Sequence, residues 1–288
     1  MNIITVINAK GGCGKSTIAM SLASGLAVRG LSTLLIDMDP QAQVTQWLGL
    51  GDGFSAKGTL VEAMQGNAPF ESVIQPTKFD NLSFVASSQR LEDLGRQITD
   101  VEGYQTILTQ LLGSVTLSSS TRSFEFVVID SPNQISPVME NCIYPSDAFI
   151  VPFESTKAVR SYANFYQLLM RIRPGEQHKV LHVLSNLSRQ PGLRRRVTET
   201  LELHGIPKAR TEVRTCGWLA QVDENGGSIF EYRPYSKGAE DMAALVDEML
   251  ELLGRNDLLE REKSAESPDD PVELGSVELH GDNTPDSG

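Results

Sequence analysis

Six short apolar runs, rich in β-branched residues, punctuate the chain at 3–7, 33–36, 81–87, 124–129, 147–152 and 180–186. They lack the strict alternation of a strand with one wet face, so each predicts a strand buried on both sides. Between them lie stretches with helical character. One runs from Ser16 to about Val28 and stops at Arg29-Gly30, another spans Thr59–Gln65, and a third runs from Arg90 to Leu112 with Leu91, Leu94, Ile98, Ile107, Leu108 and Leu111 on its apolar face. Further helices are expected from Glu154-Ser155 to about Arg173, from Arg194 to His204-Gly205, and from Ser236 to Gly254 with Met242, Leu245, Met249 and Leu252 inward. Residues 51–81 are otherwise Gly-rich and polar, and Gly113–Ser123 reads as a Ser/Thr-rich loop. Strands alternating with helices predict an α/β fold, a mostly parallel twisted sheet with helices on both faces. The pattern supports a single domain over 1–254; the acidic, Pro/Ser-rich segment 255–288 is expected to be disordered. No internal repeat emerges.

Chemistry enters where the first run breaks. Ile3-Ile4-Thr5-Val6-Ile7 gives way to Asn8-Ala9-Lys10-Gly11-Gly12-Cys13-Gly14-Lys15-Ser16-Thr17. This fits the phosphate-loop pattern G-x-x-x-x-G-K-[ST], except that Ala9 replaces the first glycine. Gly11, Gly12 and Gly14 still allow backbone N–H groups to turn inward around a polyphosphate at a helix N-terminus. Lys15 then reaches the β- and γ-phosphates, Ser16 ligates Mg²⁺, and Thr17 bonds the α-phosphate. Lys10 cannot serve the same phosphates from the same direction, so it is expected to point away, towards a partner subunit. Two further runs end in carboxylates. Asp37-Met38-Asp39-Pro40-Gln41 places Asp39 at a strand end, where open α/β sheets bind ligands. Phe124–Ile129 delivers Asp130 to the place a carboxylate needs in order to hold the Mg²⁺ water shell opposite Ser16.

The string Lys10–Thr17, with its extra lysine, resembles the deviant Walker A motif of the ParA/MinD family of ATPases. Asp37–Gln41 resembles that family's switch I, and Asp130-Ser131-Pro132 its Walker B strand end, with Asn133 where a second proline is usual. The segment Ser236-Lys237-Gly238-Ala239-Glu240 is similar to the start of its last helix. The likeness spans about residues 1–254. It implies a P-loop NTPase fold, ATP and Mg²⁺ as ligands, and slow hydrolysis in a nucleotide-sandwich homodimer. Lys10 would contact the neighbour's ATP, and Asp39 would orient the attacking water beside the metal. Asn186, after the 180–186 run, takes the adenine-reading position, and Pro207 is assigned to the same pocket.

Composition narrows the partners. The net charge is −12 over 288 residues, but 255–288 alone carries −7, whereas Lys157–Arg214 holds twelve Lys/Arg against four Glu. That local +8 supplies candidate contacts to duplex DNA in Arg171, Arg173, Arg194, Arg195, Arg196, Arg210 and Arg214. No apolar run approaches the roughly 20 residues of a membrane span, there is no basic-then-apolar leader, and the acidic C-terminus is no membrane-binding helix. A cytoplasmic, nucleoid-associated protein is expected. Three cysteines with no C-x-x-C spacing argue against a disulfide framework, a zinc site or a shared iron–sulfur cluster, and His178 and His182 fall in a strand-like run. The resemblance implies a ParA-type ATPase that binds DNA non-specifically when ATP-loaded and is released when a cargo adaptor stimulates hydrolysis, the cargo being a plasmid or chromosome origin or a protein body. The alternative is a MinD-like or other nucleotide-dependent assembly factor without DNA binding.

Overall fold

The computed structural model describes residues 1–49, 58–117, 123–187, 191–220 and 227–265. Its strands are β1 (Asn2–Val6), β2 (Thr33–Asp37), β3 (Ile74–Pro76), β4 (Leu82–Val85), β5 (Phe126–Asp130), β6 (Ala148–Phe153), β7 (Lys179–Leu187) and β8 (Glu212–Arg214). They form one sheet in the order β3-β4-β2-β5-β1-β6-β7-β8. Every neighbouring pair is parallel except β3 with β4. β2, β5 and β6 are buried at every position, as their continuous apolar runs require once helices cover both faces.

Around the sheet lie α1 (Lys15–Val28), α2 (Gln43–Trp47), α3 (Leu60–Met64), α4 (Phe70–Val73), α5 (Arg90–Gln97), α6 (Ile107–Leu117), α7 (Pro137–Ile143), α8 (Thr156–Ile172), α9 (Pro191–Leu203), α10 (Gly217–Ala220), α11 (Ile229–Tyr232), α12 (Lys237–Leu253) and α13 (Asn256–Ala265). On one face α1 and α12 pack over Ile4, Leu35, Val128, Ile150 and Val183 through Leu22, Leu26, Leu245 and Met249. α1 is buried almost all round, and Gly25 lets α12 approach it: a Cβ there would stand 2.9 Å from Val246 Cγ2. The opposite face carries two clusters. One, around Ile36, Val127 and Ile129, lies under Leu91, Leu108 and Val138; the other, around Phe149, Val151 and Leu184, lies under Phe165 and Leu201.

β1 sits in the middle of the order, and the chain leaves it first towards β2 and later towards β6. The loops at the C-terminal ends of β1, β2 and β5 therefore converge, since Val6 and Asp37 both stand in register with Asp130. That is the switch point at which open parallel sheets bind ligands.

Several element predictions change. The helix expected over 90–112 is two helices, because Gly103 turns with φ 73 between a pair of single 3₁₀ turns, and α6 then continues to Leu117, into the expected loop. The rest of that loop, 118–122, lies outside the described residues. In 51–81, the short α4 and β3 accompany the expected helix α3, whose N-cap Thr59 forms a capping box with Glu62. Order also runs past the expected break at Gly254. That glycine caps α12 with φ 81, but α13 follows and buries Leu258 in the α1–α12 core; residues 266–288 lie outside the described residues. Among the described residues, no helix is long and apolar enough to cross a membrane.

Candidate nucleotide site

Between β1 and α1 the chain makes its glycine turn. Gly12 and Gly14 adopt φ 76 and 88, left-handed values that glycine takes without strain. Gly14 is the N-cap of α1 and makes no side-chain cap, so the first N–H groups of that helix are left to a ligand. Lys15 and Ser16 are buried beneath the loop, with Lys15 Nζ donating to the Lys10 carbonyl at 3.2 Å. Cys13 Sγ donates to the same carbonyl at 3.2 Å, and burial raises its thiol pKa. Thr17 is half-buried and Gly11 exposed. Asn133, which follows Asp130-Ser131-Pro132, lies against the loop: a Cβ on Gly11 would meet its Nδ2 at 3.4 Å.

Asp130 answers whether this cradle fits a magnesium nucleotide. It is fully buried, and neither carboxylate oxygen accepts a hydrogen bond of good geometry. Burial and the neighbouring Asp37 push its pKa well up, while Ser16 and Lys15 stand near enough to favour the charged form. A buried carboxylate with no partner costs free energy that a cation would relieve. Ser16 and Asp130 thus suit Mg²⁺, and the glycine turn with Lys15 suits its phosphates.

Asp37 and Asp39 have different environments. Asp37 is fully buried, and desolvation pushes its pKa up to about 7 against hydrogen bonds from Thr45 and from the Asp39 backbone. Asp39 is 7% exposed and its Oδ1 accepts from Gln41 N at 2.9 Å. It caps no helix; the N-cap of α2 is Ala42, held left-handed at φ 53.

Lys10 does not extend away from its own subunit. Its Nζ pairs with Glu154 Oε1 at 2.5 Å and donates to the Gly11 carbonyl at 3.0 Å. Glu154 lies between β6 and α8, so the sequence, which separates the two residues by 144 positions, gave no sign of it. Asn8, fully buried, ties the same region together by donating to the Pro152 carbonyl at 2.9 Å.

Asn186 stands at the C-terminal end of β7, exposed, with a left-handed φ of 48. The adjacent Ser185 Oγ would lie 3.3 Å from a Cβ on Gly14, so this strand end abuts the phosphate loop. Pro207 does not join it. β8 runs parallel to β7 with Leu184 opposite Glu212, so the chain enters β8 from the Pro207 side and reaches the loop's edge only at Arg214. The Pro207 carbonyl instead accepts from His182 Nδ1, 2.9 Å away in mid-β7. The residues that do reach that edge are Thr215 and Cys216, which with Leu184, Arg214 and Lys237 line a cavity of about 680 Å³. Only their place after a short strand could have revealed them.

The basic stretch is largely neutralised on folding. Arg171 pairs with Glu140, Arg173 with Glu176, Arg194 with Glu212, Arg195 with Glu199, Arg210 with Glu248 and Glu251, and Arg214 with Asp241 and Glu240. Five of these acids come from outside 157–214. Of the seven arginines, Arg196 alone has no carboxylate within 4.0 Å among the described residues; the exposed Lys157 and Arg160 on α8 are in the same position.

Known proteins resemble this chain in sequence and in fold. A family model described as an AAA domain matches residues 1–181. The cell division protein PomZ of Myxococcus xanthus is 27% identical over 250 residues, covering 85% of this chain and 76% of that protein. The sporulation initiation inhibitor protein Soj of Bacillus subtilis is 24% identical over 254 residues, covering 86% and 97%. A McdA variant from Cyanothece in complex with ATP superposes with a TM-score of 0.73 at 19% identity, covering 88% and 96%.

Proposed function

Because the chain belongs to the ParA/MinD family of ATPases, among its partitioning and positioning members, we propose that it is an ATP-gated switch that positions a cargo. Bound Mg²⁺–ATP favours a sandwich homodimer, the dimer binds duplex DNA without reading sequence, and hydrolysis stimulated by a cargo adaptor releases it. The observation that carries this reading is the pairing of a glycine cradle holding two lysines with Asp130, a buried carboxylate with no hydrogen bond of good geometry among the described residues.

Lys15, Ser16 and Asp130 hold the nucleotide and its metal, while Thr17 and the backbone of Gly11–Gly14 take the remaining phosphate oxygens. Asp39 orients the attacking water. Thr215 and Cys216 replace Pro207 beside Asn186 at the base end. Lys10 must exchange Glu154 for the neighbour's phosphates, so dimerisation involves breaking one ion pair per subunit. Lys15→Ala abolishes ATP binding, whereas Lys10→Ala binds ATP and stays monomeric on size exclusion. An ATP-loaded Lys10→Ala dimer contradicts the assignment.

For DNA, the ion pairs rank the candidates. Arg171 and Arg214 are held by carboxylates whose side chains are only 9–10% exposed, and breaking such pairs leaves a buried charge. Arg195 pairs across one helical turn in full solvent, an interaction a phosphate replaces readily. Arg195 and Arg196 on α9, with Lys157 and Arg160 on α8, are therefore the contacts we assign. ATP-dependent, salt-sensitive binding to random duplex is the test; its absence at low salt favours the assembly-factor alternative, which the acidic partners of these arginines would also suit.

A further inference from the structure

The two strand-end aspartates are joined by a buried network that the phosphate-loop chemistry does not use. Asp37 Oδ1 accepts from Asp39 N at 3.1 Å. Asp37 Oδ2 accepts twice from Thr45 on α2, from its N at 3.0 Å and its Oγ1 at 2.8 Å. Thr45 Oγ1 in turn accepts from Ser87 N at 2.9 Å, and Ser87 Oγ donates to the Asp39 carbonyl at 2.7 Å. Ser87 belongs to the connection from β4 to α5, so the ring of bonds closes across three separate parts of the fold. Thr45 and Ser87 are 5% and 4% exposed.

Every path through this network ends on the Asp39 backbone. Its N–H is held by Asp37, its carbonyl by Ser87, and its carboxylate is turned by Gln41 N. The loop needs such restraint, because the non-glycine Ala42 just beyond is left-handed at φ 53, a conformation that persists only where surroundings over-determine it. The Thr45 hydroxyl is doubly committed, donating to Asp37 and accepting from Ser87. Valine matches its shape and can do neither; serine can do both.

We propose that Thr45 and Ser87 are positioning residues for hydrolysis, holding Asp39 where its carboxylate meets the attacking water. The inference rests on the assignment of Asp39 above. A misplacement of about 1 Å in a group that orients a reactant costs on the order of 100-fold in rate, whereas the phosphate cradle, built on β1 and α1, is untouched by either hydroxyl.

The test compares single-turnover ATP hydrolysis and ATP affinity for full-length Thr45→Val, Thr45→Ser, Ser87→Ala, Asp39→Ala and the double variant Ser87→Ala with Asp39→Ala. Thr45→Val and Ser87→Ala are expected to hydrolyse roughly 10- to 100-fold slower with ATP affinity unchanged. Thr45→Ser is expected to restore most of the rate, and Ser87→Ala to add nothing in the Asp39→Ala background. If Asp39→Ala is inactive while Ser87→Ala turns over normally, the positioning role is overturned and the site assignment stands. A parallel loss of affinity and rate, unrelieved by serine at 45, makes the network merely structural and also overturns it. Normal turnover by Asp39→Ala removes the assignment itself. Should Thr45→Val fail to fold, Ser87→Ala, which deletes one side-chain bond, decides alone.

Discussion

Replacing Asp130 by asparagine should stabilise the nucleotide-free protein and remove its response to magnesium. Asp130 is fully buried, accepts no hydrogen bond of good geometry among the described residues, and stands beside Asp37 in the register of β5 and β2. Asparagine leaves a polar group at this place but no charge to bury beside Asp37; a buried polar group without a partner costs about 1–3 kcal/mol, and a charged one more. For a chain of this size 1 kcal/mol moves Tm by roughly 2–4 °C, so relieving about 1 kcal/mol of that charge penalty is expected to make Asp130→Asn melt about 2–4 °C higher without ligand. The sign of the pH dependence follows from the raised pKa. The folded protein holds a proton on this carboxyl that the unfolded chain releases above about pH 4. Stability is lost as pH rises from there towards the folded-state pKa. Asparagine carries no such loss, so its advantage is larger at pH 8 than at pH 5.

Ligand reverses the order. Mg²⁺–ATP at a hundredfold excess over Kd adds about 2.7 kcal/mol to the wild type, and the variant gains only what ATP supplies without the metal. Calorimetry of both proteins, with and without ATP and Mg²⁺, at pH 5 and pH 8 measures all of this. A variant less stable than wild type at both pH values without ligand, or one that keeps the magnesium-dependent gain, refutes the reading of Asp130 as a metal-holding residue.

Other consequences are simpler. His182, packed against Phe153 and Tyr162, has its pKa lowered to about 4 by burial. Its stabilising contribution is complete above about pH 6.5 and is lost as pH falls towards 4, a change of about 3 kcal/mol; urea titrations at pH 7 and pH 4.5 should show it in wild type and not in His182→Phe. Gly25→Ala places a Cβ 2.9 Å from Val246 and 3.0 Å from Phe230, and overpacking of about 1–3 kcal/mol should outweigh the roughly 1 kcal/mol gain in helix propensity. A raised Tm for Gly25→Ala would show that α12 gives way at no cost.

The features legible in the sequence are those whose meaning is local. The glycine turn, Lys15 and Ser16 lie within one strand–loop–helix unit, Asp130 ends β5 and Asp39 lies two residues past the end of β2, so their places follow from local sequence. What the sequence hid is settled by partners far along the chain. The Lys10 position was readable but its neighbour was not, since Glu154 arrives through β6 and α8. Thr45 and Ser87 look like ordinary surface polar residues until α2 and the β4–α5 connection fold over Asp37. Pro207 falls away from the base end because β8 runs parallel to β7, an arrangement its short sequence does not reveal. Gly103 divides the expected helix by turning at φ 73, and the apolar positions on its two sides, Leu91, Leu94 and Ile98 against Ile107, Leu108 and Leu111, do not share one helical face.

The basic stretch raises the same issue at the scale of a surface. Charge summed along a segment measures a patch only if the segment's cations keep their charge to themselves after folding. Here α12 alone brings Glu240, Asp241, Glu248 and Glu251 onto Arg210 and Arg214, and α7 brings Glu140 onto Arg171. The +8 of 157–214 therefore shrinks to a few exposed cations on α8 and α9. Phosphate binding by so few charges has a shallow salt dependence, with the logarithm of affinity falling by about 0.9 per neutralised phosphate for each tenfold rise in salt. A dimer doubles the number of cations on one duplex, so ATP, by controlling dimerisation, would control DNA affinity without moving any arginine. A monomer trapped by Lys10→Ala should then bind duplex DNA with about half the wild-type salt slope, and an unchanged slope would place the DNA surface within a single subunit.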